Sequence, residues 1–209
     1  FLWDGESTVN LSQNPTGSDY GPAWSADGRL AFLSERDGEF IIFVWDGISV
    51  ENGSPNSDTF AKIAPVHLTY ESFPSWANNG LLTFGGFAPE DTHQQVYLWD
   101  GETAINISQN PSGHNAVGSW TADGRWAFGT FYSTDLIYVR DADNRTILTT
   151  EGQYTPVWSS NGDYLVFCRR NGGNWTLLIW DGQKITPIVE GYEIRARWQS
   201  SSGIFCSSG

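Results

Sequence analysis

Between Pro22 and Ser34 the chain reads PAWSADGRLAFLS, where apolar positions alternate with polar or small ones on either side of a Ser-Ala-Asp-Gly break. A period of two predicts strands, and the break predicts a tight hairpin between one strand ending on Trp24 and a second carrying Leu30 and Phe32. The pattern returns as PSWANNGLLTF (74–84), GSWTADGRWAF (118–128), PVWSSNGDYLVF (156–167) and ARWQSSSGIF (196–205). Five tryptophans, Trp24, Trp76, Trp120, Trp158 and Trp198, are therefore spaced 52, 44, 38 and 40 residues apart. Repetition near forty residues, with several strands per period, is the signature of a propeller blade.

A second landmark recurs in each period. FLWDG (1–5), FVWDG (43–47), YLWDG (97–101), YVRDA (138–142) and LIWDG (178–182) are apolar runs that enter Asp-Gly or Asp-Ala. Asp-Gly predicts a type I′ turn, in which both central residues take positive φ. Another short strand follows: TVNLS (8–12), VHLT (66–69), AINIS (104–108), TILTT (146–150) and KITPIV (184–189). Each period thus predicts a four-stranded antiparallel meander, a to d, with the anchoring Trp closing strand a and Trp-Asp-Gly closing strand c.

The chain opens on strands of type c and d and closes on strands of type a and b. The prediction is one domain over 1–209, an all-β five-bladed propeller of four-stranded antiparallel blades. Its N-terminal c and d strands pair with the C-terminal a and b strands, which closes the ring and removes the free edges. The fit is tight. Complete blades place 12 to 15 residues between the b-strand Phe and the c-strand Trp or Arg, whereas four residues follow Phe205 and Trp3 is the third residue of the chain. The runs 49–64 and 85–95 read as surface insertions.

Composition narrows the class. Aromatic residues make up 15% of the chain, including 11 Trp, enough ring area to fill the wedges between sheets although hydrophobic content is only 39%. The net charge of −13 repels phosphate backbones, and no Lys or Arg run offers a local exception, so nucleic acid is not an expected partner. No apolar run approaches the roughly 18 residues of a spanning helix. Cys168 and Cys206 follow the blade Phe at equivalent positions of neighbouring blades, which diverge from the axis, so both are expected as free thiols. No Cys/His cluster suggests zinc and no Gly-rich strand-to-helix turn suggests a phosphate site, so neither a metal nor a cofactor is expected.

The motif P-x-W-S-x-D-G, followed by an apolar strand and then I-Y-V/L-W-D-G, resembles the TolB-type propeller repeat, and the resemblance runs over essentially the whole chain. The related WD repeat opens each blade with Gly-His, a pair found here only at Gly113-His114. Members of the TolB-type family include periplasmic scaffolds that bind another protein and propeller domains attached to peptidases. The resemblance therefore implies the propeller fold, a role in recognition rather than chemistry, and a periplasmic or extracellular place. Arg140-Asp141-Ala142 stands where the repeat has Trp-Asp-Gly, and Gln199 to Gly203 replaces the acidic turn, which predicts two less regular blades.

In such a blade the a–b and c–d turns share one face and the b–c and d–a loops share the other. The second face varies between blades, and variable loops on a rigid scaffold are where binding sites usually lie. Five residues before each anchoring Trp stand Asp19, Glu71, Asn115, Gln153 and Glu193, which fivefold geometry would set in a ring near the channel mouth. On one reading each accepts hydrogen bonds from backbone amides of the adjacent loop and fixes strand a. On the other, the oxygens form a site for a hard ion or a polar ligand. Tyr20, Phe73, His114, Tyr154 and Tyr192 lie beside the ring, suited to stacking on a sugar or anchoring a protein.

The expected function is a non-enzymatic scaffold that binds a protein or peptide partner through its loop face, monomeric if the ring closes within the chain. The alternatives are a carbohydrate-binding propeller, a glycoside hydrolase drawing its carboxylate pair from Asp19, Glu71 and Glu193, and a fragment of a larger propeller. His67, in a strand, and His93 and His114, in loops, show no triad spacing. Asp4, Asp46, Asp100 and Asp181 of the Trp-Asp-Gly repeats read as turn residues.

Overall fold

The computed structural model describes residues 1–209 except 4, 48–49, 52–53, 56–59, 64–66, 70–71, 78, 111–112, 132–134, 192–193, 199–203 and 209. The described residues form strands and no helix. In chain order these are β1 (Leu2–Trp3), β2 (Thr8–Val9), β3 (Asp19–Trp24), β4 (Leu30–Arg36), β5 (Glu39–Trp45), β6 (Val50–Glu51), β7 (Ser54–Pro55), β8 (Phe60–Ile63), β9 (Ser75–Trp76), β10 (Leu82–Gly86) and β11 (Gln95–Trp99). They continue as β12 (Ala104–Asn106), β13 (His114–Trp120), β14 (Trp126–Phe131), β15 (Leu136–Arg140), β16 (Thr146–Glu151), β17 (Gln153–Trp158), β18 (Leu165–Asn171), β19 (Asn174–Trp180), β20 (Ile185–Gly191), β21 (Ile194–Trp198) and β22 (Ile204–Ser208).

Four antiparallel sheets have four strands each, in the orders β3-β4-β5-β8, β9-β10-β11-β12, β13-β14-β15-β16 and β17-β18-β19-β20. The landmark residues share one cross-strand row in every sheet: Trp24, Leu30 and Trp45; Trp76, Leu82 and Trp99; Trp120, Trp126 and Arg140; Trp158, Leu165 and Trp180. The small β6–β7 hairpin sits in the first insertion.

Core layers lie between successive sheets. One face of the first sheet (Leu30, Phe32, Phe43, Trp45) packs with Leu11 and with Leu2 and Val9 of the N-terminal hairpin. Its other face (Ala31, Leu33, Ile42, Val44) meets Leu82, Phe84, Tyr97 and Trp99 of the second sheet. Val96 and Ile107 meet Trp126 and Phe128 at the next junction, and Ala127, Ile137 and Val139 meet Trp158, Leu165, Phe167 and Trp180 at the one after. Strands β4, β10 and β14 are thus buried on both faces, and Ala31 and Leu33 are as enclosed as Leu30 and Phe32. The strict alternation expected of strand b is lost for a physical reason: a sheet covered on both sides buries both of its faces, so apolar residues fill successive positions and the buried Thr83 and Thr130 hydroxyls are hydrogen-bonded. Cys168 is buried and in no disulfide, packed with Val166 and Leu177; the side chain of Cys206 falls outside the described set.

The turns correct one expectation. Gly47, Gly101 and Gly182 take φ of 83°, 110° and 93°, but their preceding aspartates do not take positive φ, so these are not type I′ turns. Instead the carboxylate builds the turn: Asp100 Oδ1 accepts the N–H groups of Glu102 (2.9 Å) and Thr103 (2.8 Å), and Asp181 Oδ1 those of Gln183 (2.9 Å) and Lys184 (2.7 Å). These amides hold both carboxyls below the ordinary carboxylate range, Thr103 and Lys184 contributing most. A type I′ pair does occur at Asp37-Gly38 (φ 53° and 82°), in the two-residue link from β4 to β5.

Side chains clasp neighbouring sheets together. Arg29 of the first sheet lies 4.4 Å over the Trp76 ring and donates to Gly80 O at 2.9 Å. Arg125 of the third lies 4.8 Å over Trp158 and donates to Gly162 O at 2.9 Å. Between the second and third sheets the work falls to Arg140, which donates to Ile107 O and Ser108 O, each at 2.8 Å, and to Trp120 Nε1, which donates to Thr83 Oγ1 at 3.2 Å. Arg140 thus replaces the repeat's Trp with a polar strap, and the β15–β16 register shifts between Val139 and Arg140, an irregularity at the position where the sequence departs from the repeat.

The ends depart from expectation. β1–β2 and β21–β22 form separate two-stranded sheets, and no strand pairing joins them among the described residues. Trp24 is 53% exposed where Trp158 is 5% exposed.

Candidate functional site

Strand starts and loop residues set the geometry of the variable face. Asp19 opens β3 opposite Ser34, its side chain exposed, at a cavity of about 140 Å³ lined also by Phe1, Leu11, Tyr20 and Phe32. Tyr20 turns inward, its ring 6.3 Å from Phe40. Phe73 is 46% exposed and its ring occupies the space beside Gly21, where a Cβ would stand 2.4 Å from Phe73 Cδ1. Gln153 and Tyr154 begin β17, where Gln153 pairs with Cys168; only their backbone is described. Glu71, Tyr192 and Glu193 lie outside the described residues.

Asn115 is wholly buried and faces loop backbone. Its Nδ2 donates to Gln94 O (2.9 Å), Gly113 O (2.9 Å) and Asn110 O (3.2 Å), while its Oδ1 accepts from Asn110 Nδ2 (3.2 Å). Gln95, also buried, donates to Asn110 O at 2.9 Å and accepts from Ser108 Oγ at 2.8 Å. This network of buried amides ties the β10–β11 loop of the second sheet to the start of the third. A network with its partners in place is stiff, because any rearrangement strands a polar group away from water.

On that floor stand five rings from four segments. His67 follows β8 and exchanges both backbone bonds with Phe87, at 2.9 Å each. His93 belongs to the β10–β11 loop, His114 opens β13, and Phe131 faces it across the ladder at the end of β14. Ring centroids are 6.3 Å apart for His67–Phe87, 5.8 Å for Phe87–His114, 5.2 Å for His93–His114 and 5.4 Å for His114–Phe131. His114 is the hub, with two neighbours edge-on and Phe131 stacked. The Gln94 N–H points at its Nδ1 (3.3 Å), which makes that nitrogen an acceptor and places the ring proton on Nε2. His67 is exposed and the other four rings are half-buried, so the strip presents aromatic surface to solvent. Glu90 and Asp91 in the same loop add negative charge; burial first, and the Asp91 charge second, hold the Tyr97 phenol above its ordinary range.

Of the ten sequence candidates, the structure gathers His114 and Asn115 into this strip and its floor. His67, Phe87, His93 and Phe131 were not singled out as site residues, because two lie in the 85–95 insertion, one follows β8 and one ends β14, and they share no period. The insertion at 85–95 was the available signal. Among the described residues no group of three or more His, Cys, Asp or Glu is arranged to hold a metal ion.

No protein-family model matches the sequence, and no curated protein matches it. Solved structures do. The β-propeller domain of the trilobed protease from Pyrococcus furiosus aligns with TM-score 0.64 and 14% identity over 87% of this chain and 60% of that one. The Pyrococcus horikoshii acylaminoacyl peptidase aligns with TM-score 0.59 and 13% identity over 89% of this chain, and a protein from Lactobacillus plantarum with TM-score 0.58 and 15% identity over 97%. The chain spans 34% of the peptidase's length and 66% of the Lactobacillus protein's. Sheet order, landmark rows and these likenesses agree: the fold is a β-propeller.

Proposed function

We propose that the chain is a non-enzymatic propeller scaffold that binds a protein or peptide partner through its variable loop face, with the strip His67–Phe87–His114–Phe131 at the centre of the contact. The observation that carries this is a run of solvent-reaching rings on a floor of satisfied buried amides. Large rings that are fixed before binding lose little conformational freedom on contact, which is the character of an interface anchor. The hub imidazole is wedged among rings and takes a backbone N–H on Nδ1, an arrangement suited to contact more than to proton transfer. A peptide display library panned on the wild-type chain tests the reading. Recovered peptides are expected to bind a Phe87→Ala, His114→Ala variant roughly thirtyfold more weakly or worse, as loss of an aromatic anchor costs about 2 kcal/mol or more. Equal binding to both proteins would overturn it, and selective retention on a glycan array would favour the carbohydrate reading instead.

The same reading takes the propeller as five-bladed, monomeric and periplasmic or extracellular, with β21–β22 and β1–β2 as the two halves of one blade. Complementary strand types and the bare Trp24 ring, which a preceding a–b turn would cover as Arg29 covers Trp76, support it. Slow amide exchange along both β1 and β22 is the expected result; fast exchange along both would exclude closure.

A further inference from the structure

The first and third blades each place an arginine five residues after the anchoring Trp, and both guanidinium groups are seated alike. Arg29 lies over Trp76 (4.4 Å), donates to Gly80 O (2.9 Å), and through Nε reaches Asp27 (3.0 and 3.1 Å). Arg125 lies over Trp158 (4.8 Å), donates to Gly162 O (2.9 Å), and through Nε reaches Asp123 (2.9 and 3.1 Å). Each seat therefore has three parts: the flat face of the next blade's Trp, the carbonyl of the Gly four residues after it, and a side-chain oxygen two residues before the Arg. Stacking and directed donation together are what a planar guanidinium does well.

At the junction of the second and third blades the corresponding residues are Trp120, Gly124 and Asn79, and Leu81 stands where the arginine would. Leucine has no donor and lacks the reach of arginine. The structure holds a cavity of about 110 Å³ at this place, lined by Asn79, Leu81, Trp120 and Gly124 together with Leu98 and Ile107. All four counterparts of the filled seats are in its wall. Trp120 is held in position by stacking on Trp126 (centroids 5.5 Å, 17° between planes) and by its indole bond to Thr83. Asn79 Oδ1 accepts one bond, from the Leu81 N–H at 3.3 Å, of the two a carboxamide oxygen can take.

We infer that this cleft binds a guanidinium group supplied from outside the blade, the side chain of an arginine on a peptide or protein partner. It lies among the a–b turns, away from the aromatic strip, and does not depend on the strip's function. Arg140 is the nearby cation; its guanidinium is engaged by Ile107 O, Ser108 O and Asn144 Oδ1. Of the aspartates on the adjoining turns, Asp141 and Asp143 are paired with Arg145 and Asp123 with Arg125.

The test titrates the wild-type chain with N-acetyl-arginine amide and with N-acetyl-lysine amide, following indole N–H resonances by NMR, with a Trp120→Phe variant to assign the Trp120 signal. The arginine probe is expected to shift the Trp120 indole saturably, and the lysine probe to bind at least about fivefold more weakly, because an ammonium cannot stack and donate as a fork. Asn79→Asp, which supplies the carboxylate of the filled seats, is expected to tighten binding by about threefold to tenfold. Leu81→Arg fills the cleft from within and should abolish the shift. A shift that fails to saturate, equal response to the lysine probe, or a shift that survives in folded Leu81→Arg overturns the assignment. If Leu81→Arg does not fold, the lysine comparison and Asn79→Asp decide it alone.

Discussion

Arg140 breaks the Trp-Asp-Gly repeat, and restoring the tryptophan separates an argument from the repeat from one based on the structure. Pattern logic expects Arg140→Trp to stabilise the chain. The structure expects the reverse. The substitution removes two charge-assisted hydrogen bonds of 2.8 Å to Ile107 O and Ser108 O, which cross from the third blade to the second. At about 1.5 to 3 kcal/mol each these are worth roughly 3 to 6 kcal/mol. A buried indole returns at most about 3 kcal/mol of that. Asn144 Nδ2, at 3.3 Å from Ile107 O, keeps one carbonyl partly satisfied, whereas Ser108 O loses a strong donor. With the full return of about 3 kcal/mol the net loss is up to about 3 kcal/mol, kept above zero by the donor that Ser108 O loses, or up to about 12 °C in Tm for a chain of this size. Both variants give up the cation's place over Trp126 (5.6 Å) and Phe128 (5.4 Å), and Arg140→Ala should lose more because no indole burial offsets the loss. Urea denaturation followed by far-UV circular dichroism measures both. An Arg140→Trp protein as stable as the wild type, or more so, refutes the strap.

Two further outcomes follow from single positions. Gly118 sits at the bulge in β13, where a Cβ would come within 2.1 Å of Ala127 O and 2.9 Å of Pro156 Cγ, so Gly118→Ala should lower Tm by about 3 to 10 °C in a thermal melt, and an unchanged melt would show that the bulge relaxes freely. The Arg29 hydrogen bond first, and that of Ser25 second, lower the Asp27 carboxyl from 3.8 to about 2, so the unfolded chain takes up the proton first as pH falls; the stabilisation is complete above about pH 4 and is lost towards pH 2. Asp27→Asn should therefore flatten the dependence of urea midpoint on pH across that window, and a slope identical to wild type would assign the acid sensitivity elsewhere.

The sequence carried the repeat because each copy pins the same row of the sheet: Trp24 beside Leu30 beside Trp45 recurs as Trp76, Leu82 and Trp99. Blade strands and their order were legible from that row alone. The turn type at Asp100 was not, because Asp-Gly suits both a left-handed pair and a carboxylate that caps its own amides, and the choice lies in φ. The burial of Ala31 and Leu33 was hidden since alternation within a strand says nothing about a second sheet arriving on the other side. Phe87 and His93 meet His114 only because an insertion folds over a blade boundary, a contact with no periodic trace. Asn115 was found for its position, but its amide donates to loop carbonyls where it was expected to receive loop N–H groups. The cleft at Leu81 is visible in the sequence only after Arg29 and Arg125 show what that position does.

Among the described residues, each of the three apolar layers between four-stranded sheets is made by two successive sheets. Gene duplication or deletion of one unit of about forty residues would then create or erase a single layer while leaving the remaining ones intact. A lineage built this way can change its number of blades in one step, with the disturbance confined to a single junction.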